Sequence, residues 1–241
     1  MLFILLLVSS LYSQNATEII KKSNDNINGL TSQSVSKMTI VRPDCTREVE
    51  MKTWSKGSEY YLIYITSPAR DMGQVFLKRD MELWNWMPSI GRMIKLPPSM
   101  MMQSWMGSDF TNDDLLKQSS VVTDYEHQII GEEKIEGYDC WIIELIPNPD
   151  AAVVWGKVVI RVSKKHYLQL NVEFYDETLE LVNTMAGSKI KDVGDRFIPA
   201  RLEMTPADKP GNKTIFEYSE IKFDMPISTS FFSKQNMKRI K

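Results

Sequence analysis

The sequence has few of the residues that build metal sites. Its 241 residues include two Cys and two His, and no H-E-x-x-H or C-x-x-C spacing occurs. Zinc sites in proteins commonly use such spacings. Asp109, Asp113 and Asp114 are of the type that binds Ca²⁺, but their spacing does not fit an EF-hand loop. The sequence therefore predicts no metal and no cofactor.

Motifs of nucleophilic catalysis and of phosphate binding are also missing. The chain has no G-x-S-x-G elbow and no P-loop. No nucleophile, base and orienting residue can be assembled from its pattern. We therefore predict that the protein is not an enzyme. An enzyme that acts on lipids or glycans remains an alternative that no motif supports.

Neither sign of charge dominates. The chain has 29 Lys and Arg against 31 Asp and Glu, for a formal net charge of −2. This balance gives no electrostatic footprint for nucleic acid or for an anionic membrane surface. With 43% hydrophobic and 25% charged residues, the composition is typical of a globular protein.

An apolar run stands at the N-terminus and is too short to cross a bilayer. Residues 1–13 read MLFILLLVSSLYS, whereas a membrane-spanning helix needs about 20 apolar residues. An apolar run followed by small residues is typical of a secretory signal peptide. We predict a signal peptide over residues 1–13, cleaved near Ser13, and a soluble exported protein. A buried N-terminal helix or strand is the alternative, since no Lys or Arg precedes the run.

Most of the chain after residue 34 has the pattern of β-strands. Residues 168–174 alternate strictly, with Leu168, Leu170, Val172 and Phe174 on one side, as in a half-buried antiparallel strand. Similar strands follow one another with Gly or Pro turns between them, without a βαβ rhythm, an internal repeat or a linker. The sequence therefore predicts a mainly β fold, a meander or open barrel, in a single domain over residues 14–241.

Two local patterns refine this prediction. Residues 15–28 form the first predicted helix, in which Ile19, Ile20 and Ile27 make one apolar stripe before Gly29. Residues 60–65 are apolar on both sides of the strand, so we expect both of its faces to be covered.

The two cysteines permit a disulfide without requiring one. Cys45 and Cys140 each lie in or beside a predicted strand. In an exported protein a bridge can form, and closing so long a loop stabilises by about 4 kcal/mol in the chain-entropy model. Because sequence spacing does not define the geometry, a Cys45–Cys140 disulfide and two separate thiols both remain open.

Residues 81–116 have an unusual composition. This stretch holds Trp84, Trp86 and Trp105 out of six Trp, and about half of the fifteen Met. Met adapts to irregular apolar shapes, and Trp offers a large rigid apolar face with one N–H group. The combination favours a surface that receives a variable apolar ligand. The alternative, the densest part of an ordinary core, explains the same composition.

The order of residues within the stretch predicts its local structure. Residues 81–87 and 90–96 read as two strands of a hairpin around Pro88. We expect residues 99–106 to form a short apolar helix that ends at Gly107. Thr111 is expected to cap a second short helix, with Asp114 as its capping-box partner.

The same stretch carries a family resemblance. The run W-N-W-M-P…G-R…K-L-P-P…M-x-x-S-W-M-G-S-D-F-T-N-D-D-L resembles the signature of the LolA-like family, periplasmic proteins described as outer-membrane lipoprotein-sorting proteins. The chain most resembles the subgroup found beside membrane exporters. The resemblance implies a strongly curved antiparallel open half-barrel, mainly β (α+β), with short helices forming a lid over an apolar cavity.

The resemblance also implies a function. We expect a monomeric periplasmic carrier that shields the acyl chains of lipoproteins or lipids, with an inner-membrane exporter as a further partner. A lipid-sensing or interaction module that docks on an exporter complex is the alternative. Arg92 and Asp109 are the expected polar rim. The expected lining residues of the cavity and lid are Tyr64, Phe76, Trp84, Trp86, Met101, Met102, Trp105, Met106 and Phe110.

Overall fold

A computed structural model describes residues 16–80, 82–117, 120–151 and 153–240 of the chain. The predicted signal peptide, residues 1–13, lies outside the described residues. Helix α1 spans residues 16–28 within them, which confirms the first predicted helix over that range. Two shorter helices follow, α2 (Asn112–Lys117) and α3 (Lys234–Met237).

The described residues form thirteen strands, most of them where the sequence pattern places them. Their bounds are β1 Thr31–Arg42, β2 Cys45–Lys56, β3 Tyr60–Ser67, β4 Val75–Arg79, β5 Glu82–Met87, β6 Arg92–Lys95, β7 Tyr125–Ile135, β8 Tyr138–Pro147, β9 Lys157–Ser163, β10 Gln169–Tyr175, β11 Leu181–Asp192, β12 Phe197–Pro206 and β13 Lys213–Phe223.

The strands follow one hydrogen-bonding order, β6-β5-β4-β3-β2-β1-β13-β12-β11-β10-β9-β8-β7. Strand β1 pairs antiparallel with both of its neighbours, β2 and β13. The pairs β4–β5 and β7–β8 are antiparallel as well. Strands β6 and β7 end the order, so among the described residues the sheet is open. This confirms the prediction of a mainly β fold built on an open antiparallel sheet.

The chain divides into two compact units, and the first contains α1 and strands β7 to β11. Its core joins Ile19 and Ile20 of α1 to Ile143, Val158 and Ile160 of the sheet. The helix therefore packs through two of the three residues of the predicted stripe, Ile19 and Ile20, while Ile27 is half-buried outside this cluster. The prediction of a single domain over residues 14–241 stays a prediction.

The second unit contains strands β1 to β6, β13, α2 and α3, and its sheet is covered on both faces. Successive side chains of β3 point to opposite faces, as in any strand. Ile63 and Ile65 belong to a cluster with Trp105, and Leu62 belongs to a cluster with Phe232. We call these two sides the Trp105 face and the Phe232 face. The expectation that residues 60–65 are covered on both sides is confirmed.

The predicted helix over residues 99–106 is wrong. The chain forms a 3₁₀ turn at Pro98–Met100 and another at Trp105–Gly107, in which Met106 has a φ of 52°. Between them Ser104 forms a β-bridge with Thr111. An isolated helix of this length is marginal in water, whereas burial of a Trp side chain is strongly favourable. Burial of Trp105 therefore outweighs helix formation and determines the backbone conformation of this segment.

The two cysteines are separate thiols. Cys45 is exposed at the start of β2, and Cys140 is buried in β8. Burial raises the pKa of the Cys140 thiol. Of the two arrangements that the sequence leaves open, the structure has the one without a bridge.

Candidate functional site

The segment between β6 and α2 lies on the Trp105 face and is anchored by one side chain. We call residues 97–111 the cover segment. Trp105 is 3% exposed, and its ring meets that of Phe76 at 74° with ring centroids 5.5 Å apart. Trp105 thus joins the core of the second unit, although it lies on a segment with little regular structure. The other buried members of this cluster are Met38, Ile40, Val49, Met51, Ile63 and Ile65.

Hydrogen bonds within the cover segment close it into a compact loop. The Trp105 amide donates to the Phe110 carbonyl at 2.7 Å, and the Ser108 hydroxyl donates to the Trp105 carbonyl at 2.7 Å. Gly107 has a φ of 78°, a conformation that side chains with a Cβ rarely adopt. The tight turn after Trp105 therefore depends on a glycine at position 107.

Two arginines of the sheet hold this loop by its carbonyl groups. Arg42 Nη2 donates to the Gly107 carbonyl at 2.8 Å, and Arg47 Nη1 donates to the Met106 carbonyl at 2.9 Å. Arg42 also pairs with Asp109 at 3.0 Å, and Arg47 pairs with Asp71 at 2.6 Å. We call Arg42, Arg47 and Asp109 the clasp, since their side chains join the cover segment to the sheet.

Asp109, expected as a polar rim residue, has a side chain that is almost fully buried, and it is bound to the sheet through both this side chain and its backbone amide. Its side chain is 8% exposed, and it accepts from the Thr214 hydroxyl at 2.7 Å. Its own amide donates back to the Thr214 oxygen at 2.9 Å. Arg92, the other expected rim residue, is exposed on β6. The structure does not bring Arg92 and Asp109 together as one rim, and a ligand-binding role for either stays a prediction.

The cap of α2 is as the sequence predicts. The Asp114 amide donates to the Thr111 hydroxyl at 3.1 Å, and the Thr111 amide donates to the Asp114 carboxylate at 2.7 Å. The Asn112 side chain also donates to the Met100 carbonyl at 2.9 Å. The cover segment is therefore tied to α2 at its end.

The expected lining residues divide between the two faces. Phe76, Trp105 and Met106 lie on the Trp105 face. Tyr64, Trp84 and Trp86 pack instead against the cluster of the Phe232 face. Of the remaining three, Met101 and Phe110 are half-buried and Met102 is 56% exposed. One cavity cannot be lined by all nine, because the sheet separates the first group from the second.

Trp84 and Trp86 are covered by the C-terminal segment, residues 225–240. The ammonium of Lys234 lies 3.4 Å from the ring centroid of Trp84, and that of Lys238 lies 5.2 Å from the centroid of Trp86. Phe232, which is fully buried, belongs to the same cluster. These two indoles already have intramolecular cationic partners, a role that sequence reasoning missed.

A cavity of about 590 Å³ lies on the side of the C-terminal segment. Trp54, Ile227 and Phe231 give it an apolar wall, and Gln33 and Arg239 give it polar groups. The cavity lies on the opposite side of the sheet from Trp105, because Trp54 and Phe231 belong to the Phe232 face.

Sequence reasoning also missed a buried cation. Lys78 is 6% exposed, and burial lowers its pKa to about 8, while Asp113 and Glu59 oppose that shift. Lys78 is two residues from Phe76 in β4, so both side chains lie on the Trp105 face. The two-residue spacing from Phe76 is visible in the sequence and could have predicted that Lys78 lies on the buried face.

Within the described parts of the chain, no helix is long and apolar enough to cross a membrane. In those same parts, no three His, Cys, Asp or Glu side chains are grouped so as to hold a metal ion.

The fold and this site define a class of protein, in which a short Trp- and Met-rich segment covers an apolar face of an open antiparallel sheet. The model of a protein family described as "Uncharacterized protein" matches residues 57–239. Because the match spans more than half of the chain, the protein belongs to that family. Among curated proteins, no sequence matches the chain significantly.

Solved structures share this fold over nearly the whole chain. A DUF1329 family protein from Desulfovibrio piger superposes with a TM-score of 0.86 at 22% identity, over 94% of this chain and 99% of its own. An outer membrane lipoprotein-sorting protein domain from Vibrio parahaemolyticus gives 0.84 at 23% identity, over 94% and 100%. A LolA superfamily protein from Nitrosomonas europaea gives 0.77 at 25% identity, over 92% and 98%. The LolA-like resemblance is confirmed, and with it the fold.

Proposed function

We propose that this protein is a carrier that shields acyl chains of a lipoprotein or lipid on the Trp105 face. The observation that carries the proposal is the position of Trp105. It is a large apolar side chain buried in a Met- and Ile-rich cluster, yet it belongs to an irregular segment held by a polar clasp. When the cover segment lifts, the surface that Trp105 occupied becomes available to an acyl chain.

The magnitudes set the kind of ligand that can displace Trp105. Burying a Trp side chain is worth about 5 kcal/mol at the usual area coefficient. Each buried methylene of a ligand contributes about 0.8 kcal/mol. About six methylenes therefore offset the indole alone, and breaking the clasp raises that number. Long acyl chains meet the requirement, and short ones do not.

The cellular setting belongs to the proposal as well. The predicted signal peptide and the similarity to an outer membrane lipoprotein-sorting protein domain support a periplasmic carrier in lipoprotein or lipid trafficking. We propose that it acts as a monomer, without catalysis, and exchanges cargo with an inner-membrane exporter. Loading requires that the open state bind the chain more tightly than the closed state.

The proposal is tested by native mass spectrometry and lipid extraction on protein purified without detergent from its own exported compartment. Bound acyl species are expected in the wild type. Trp105→Ala removes the indole that the chain must displace, so this variant should retain more bound lipid and accept shorter chains. Trp84→Ala is the matched control, since it makes the same truncation on the Phe232 face. An apo mass for the wild type, with no uptake of lipid from vesicles, would refute the carrier function.

A different observation favours the second candidate, an interaction or lipid-sensing module that docks on an exporter. Strand β6 ends the hydrogen-bonding order, and Ile90 and Ile94 beside it are 58% and 41% exposed. Exposed apolar side chains at a sheet edge are suited to contact with another protein. Co-purification of an exporter that survives Trp105→Ala but is lost in an Ile90→Asp and Ile94→Asp double variant would support this role.

A further inference from the structure

The Trp105 face is apolar at one end of its strands and polar at the other. In β1, Met38 and Ile40 are buried, and so are Ser34 and Ser36 on the same side of the strand. In β2, Thr53 and Ser55 are buried beyond Met51. A buried hydroxyl must be hydrogen-bonded or it destabilises the fold. Ser34 bonds to Thr53, and Ser55 bonds to Ser32, which leaves Ser36 as the hydroxyl without a partner.

The strand registers join these groups into one band. Tyr218 stands opposite Ser36, and Ser34 stands opposite Thr53, with their hydroxyls hydrogen-bonded. Tyr61 stands opposite both Ser55 and Lys78. Side chains of directly opposite residues lie on the same face and contact one another. We call this set the polar band: Ser34, Ser36, Thr53, Ser55, Tyr61, Lys78 and Tyr218, which cross β13, β1, β2, β3 and β4.

The apolar cluster borders the polar band directly. Phe216 lies two residues before Tyr218 on β13, and Phe76 lies two residues before Lys78 on β4. Residues spaced by two in a strand lie on the same face about 6–7 Å apart. Phe76 is in turn the residue that Trp105 contacts. A ligand that reaches from Trp105 to Lys78 thus crosses from apolar to polar surface.

Among the described residues, the buried polar atoms of this face that lack a partner include one acceptor, Asn85 Oδ1 opposite Phe76, and the donor Arg47 Nε opposite Ile40. Trp105 Nε1 and Ser36 Oγ are buried and have no hydrogen-bond partner in the described structure. Within the described residues, no carboxylate lies at ion-pair distance from the Lys78 ammonium, and no hydrogen bond from it is found. Burial also raises the pKa of Tyr61 and of Tyr218, so both phenols keep their protons. The Tyr61 hydroxyl is already hydrogen-bonded to Thr53, and Tyr218 also has a partner in the fold. The groups left to match an acceptor-rich ligand are the Lys78 cation, the Trp105 indole N–H and the Ser36 hydroxyl.

We propose that the polar band binds the anionic headgroup, a carboxylate or a phosphate ester, of an amphiphile whose acyl chain lies on the apolar part of the Trp105 face. The inference rests on the proposed carrier function and names the class of ligand. Lys78 supplies the charge, and the unpaired Ser36 hydroxyl supplies a directional hydrogen bond, which is strongest when one partner is ionised.

A purely structural role for Lys78 fits the surroundings less well. Asp113 and Glu59 act on it electrostatically, but burial still lowers its affinity for the proton. A buried charge without a close partner destabilises the fold, and an apolar side chain of similar size would be more favourable. A ligand carboxylate or phosphate in contact with the ammonium removes this imbalance.

The test compares two ligands with the same chain, hexadecanoate and hexadecan-1-ol, by binding titrations on the full-length mature protein at pH 7. The wild type is expected to bind the carboxylate about tenfold or more tightly than the alcohol, as for hydrogen bonds to charged groups. Lys78→Met should abolish this preference while leaving the affinity for the alcohol unchanged. Lys78→Arg should retain part of the preference.

Lys95→Met is the matched control, because Lys95 is an exposed lysine on β6 and should leave both affinities unchanged. Equal affinity of the wild type for the two ligands, or a preference that survives Lys78→Met, would overturn the headgroup proposal and leave the carrier function standing. Failure of both ligands to bind would overturn the headgroup proposal and the carrier function together.

Phosphatidic acid and inorganic phosphate form a second pair of ligands. Inorganic phosphate that binds as tightly as phosphatidic acid would show a site for a free anion and overturn the amphiphile assignment.

Discussion

The indole ring of Trp105 meets the ring of Phe76 edge-on, with centroids 5.5 Å apart, and both side chains are at least 95% buried. One belongs to a regular strand and the other to the cover segment. The pair therefore joins the most irregular part of the second unit to one of its most regular parts. Any movement of the cover segment has to separate these two rings.

Trp105→Ala should lower the free energy of unfolding by about 3–5 kcal/mol, the usual range for truncating a buried aromatic residue. Urea denaturation followed by circular dichroism measures the change. Met102→Ala, on the same segment but 56% exposed, should change it by less than about 0.5 kcal/mol. A loss below 1 kcal/mol for Trp105→Ala would show that the cover segment contributes little to the core.

The affinity for linear primary alcohols should rise steeply with chain length. Each added methylene contributes about 0.8 kcal/mol, so about two methylenes are worth a tenfold change in Kd. Alcohols of about six carbons or fewer should not compete with Trp105 for its place in the cluster. Displacement of a fluorescent fatty probe by a series of alcohols measures this. A flat dependence on length would contradict binding on the apolar cluster.

Breaking the clasp should make the cover segment open more often. The double variant Arg42→Gln and Arg47→Gln loses the bonds to the Gly107 and Met106 carbonyls. A hydrogen bond to a charged group is worth about 1.5–3 kcal/mol, so opening should become at least tenfold more frequent. Hydrogen exchange at the Asp109 amide, which donates to the Thr214 hydroxyl of β13, reports the change.

The control for the clasp is Lys37→Gln, which removes an exposed ion pair with Glu48 on the same sheet. Exposed pairs of this kind contribute about 0–1 kcal/mol, and exchange at the Asp109 amide should not change. Exchange that stays equally slow in the clasp variant would mean that Trp105 alone holds the segment closed.

Lys78 should make stability depend on pH in the alkaline range. Its pKa is about 8 in the folded protein and 10.5 as the ordinary value, so the unfolded chain holds the proton more tightly. The cost of the buried charge is present in full below pH 8, and it disappears as the pH rises from about 8 to 10.5. A shift of this size corresponds to about 3 kcal/mol.

The measurement is the difference in free energy of unfolding between Lys78→Met and the wild type. Lys78→Met should be more stable by about 3 kcal/mol at pH 7, and the difference should vanish near pH 10.5. Tyr61, which faces Lys78, does not interfere because burial raises its pKa. Asp113 and Glu59 are the carboxylates that act on Lys78. A variant less stable than the wild type at pH 7 would mean that these two already compensate the charge.

Elements that depend only on neighbouring residues could be predicted from the sequence. Strict alternation over residues 168–174 placed the buried side of β10, and Leu168, Leu170 and Val172 are buried there. The pair Thr111 and Asp114 determined where α2 begins, because a capping box satisfies the backbone donors of its own first turn. The signature around Trp105 was sufficient to recognise the fold.

Which aromatic residues of different strands share a face could be seen only in the folded structure. Trp84 stands opposite Leu77 and Trp86 opposite Val75, so both indoles fall on the Phe232 face. Phe76, between those two strand residues, points the other way to Trp105. Alternation shows that two residues share a face, but only the pairing register shows which face it is. The local pattern of residues 99–106 likewise favoured a helix, and burial of Trp105 against a distant strand outweighed it.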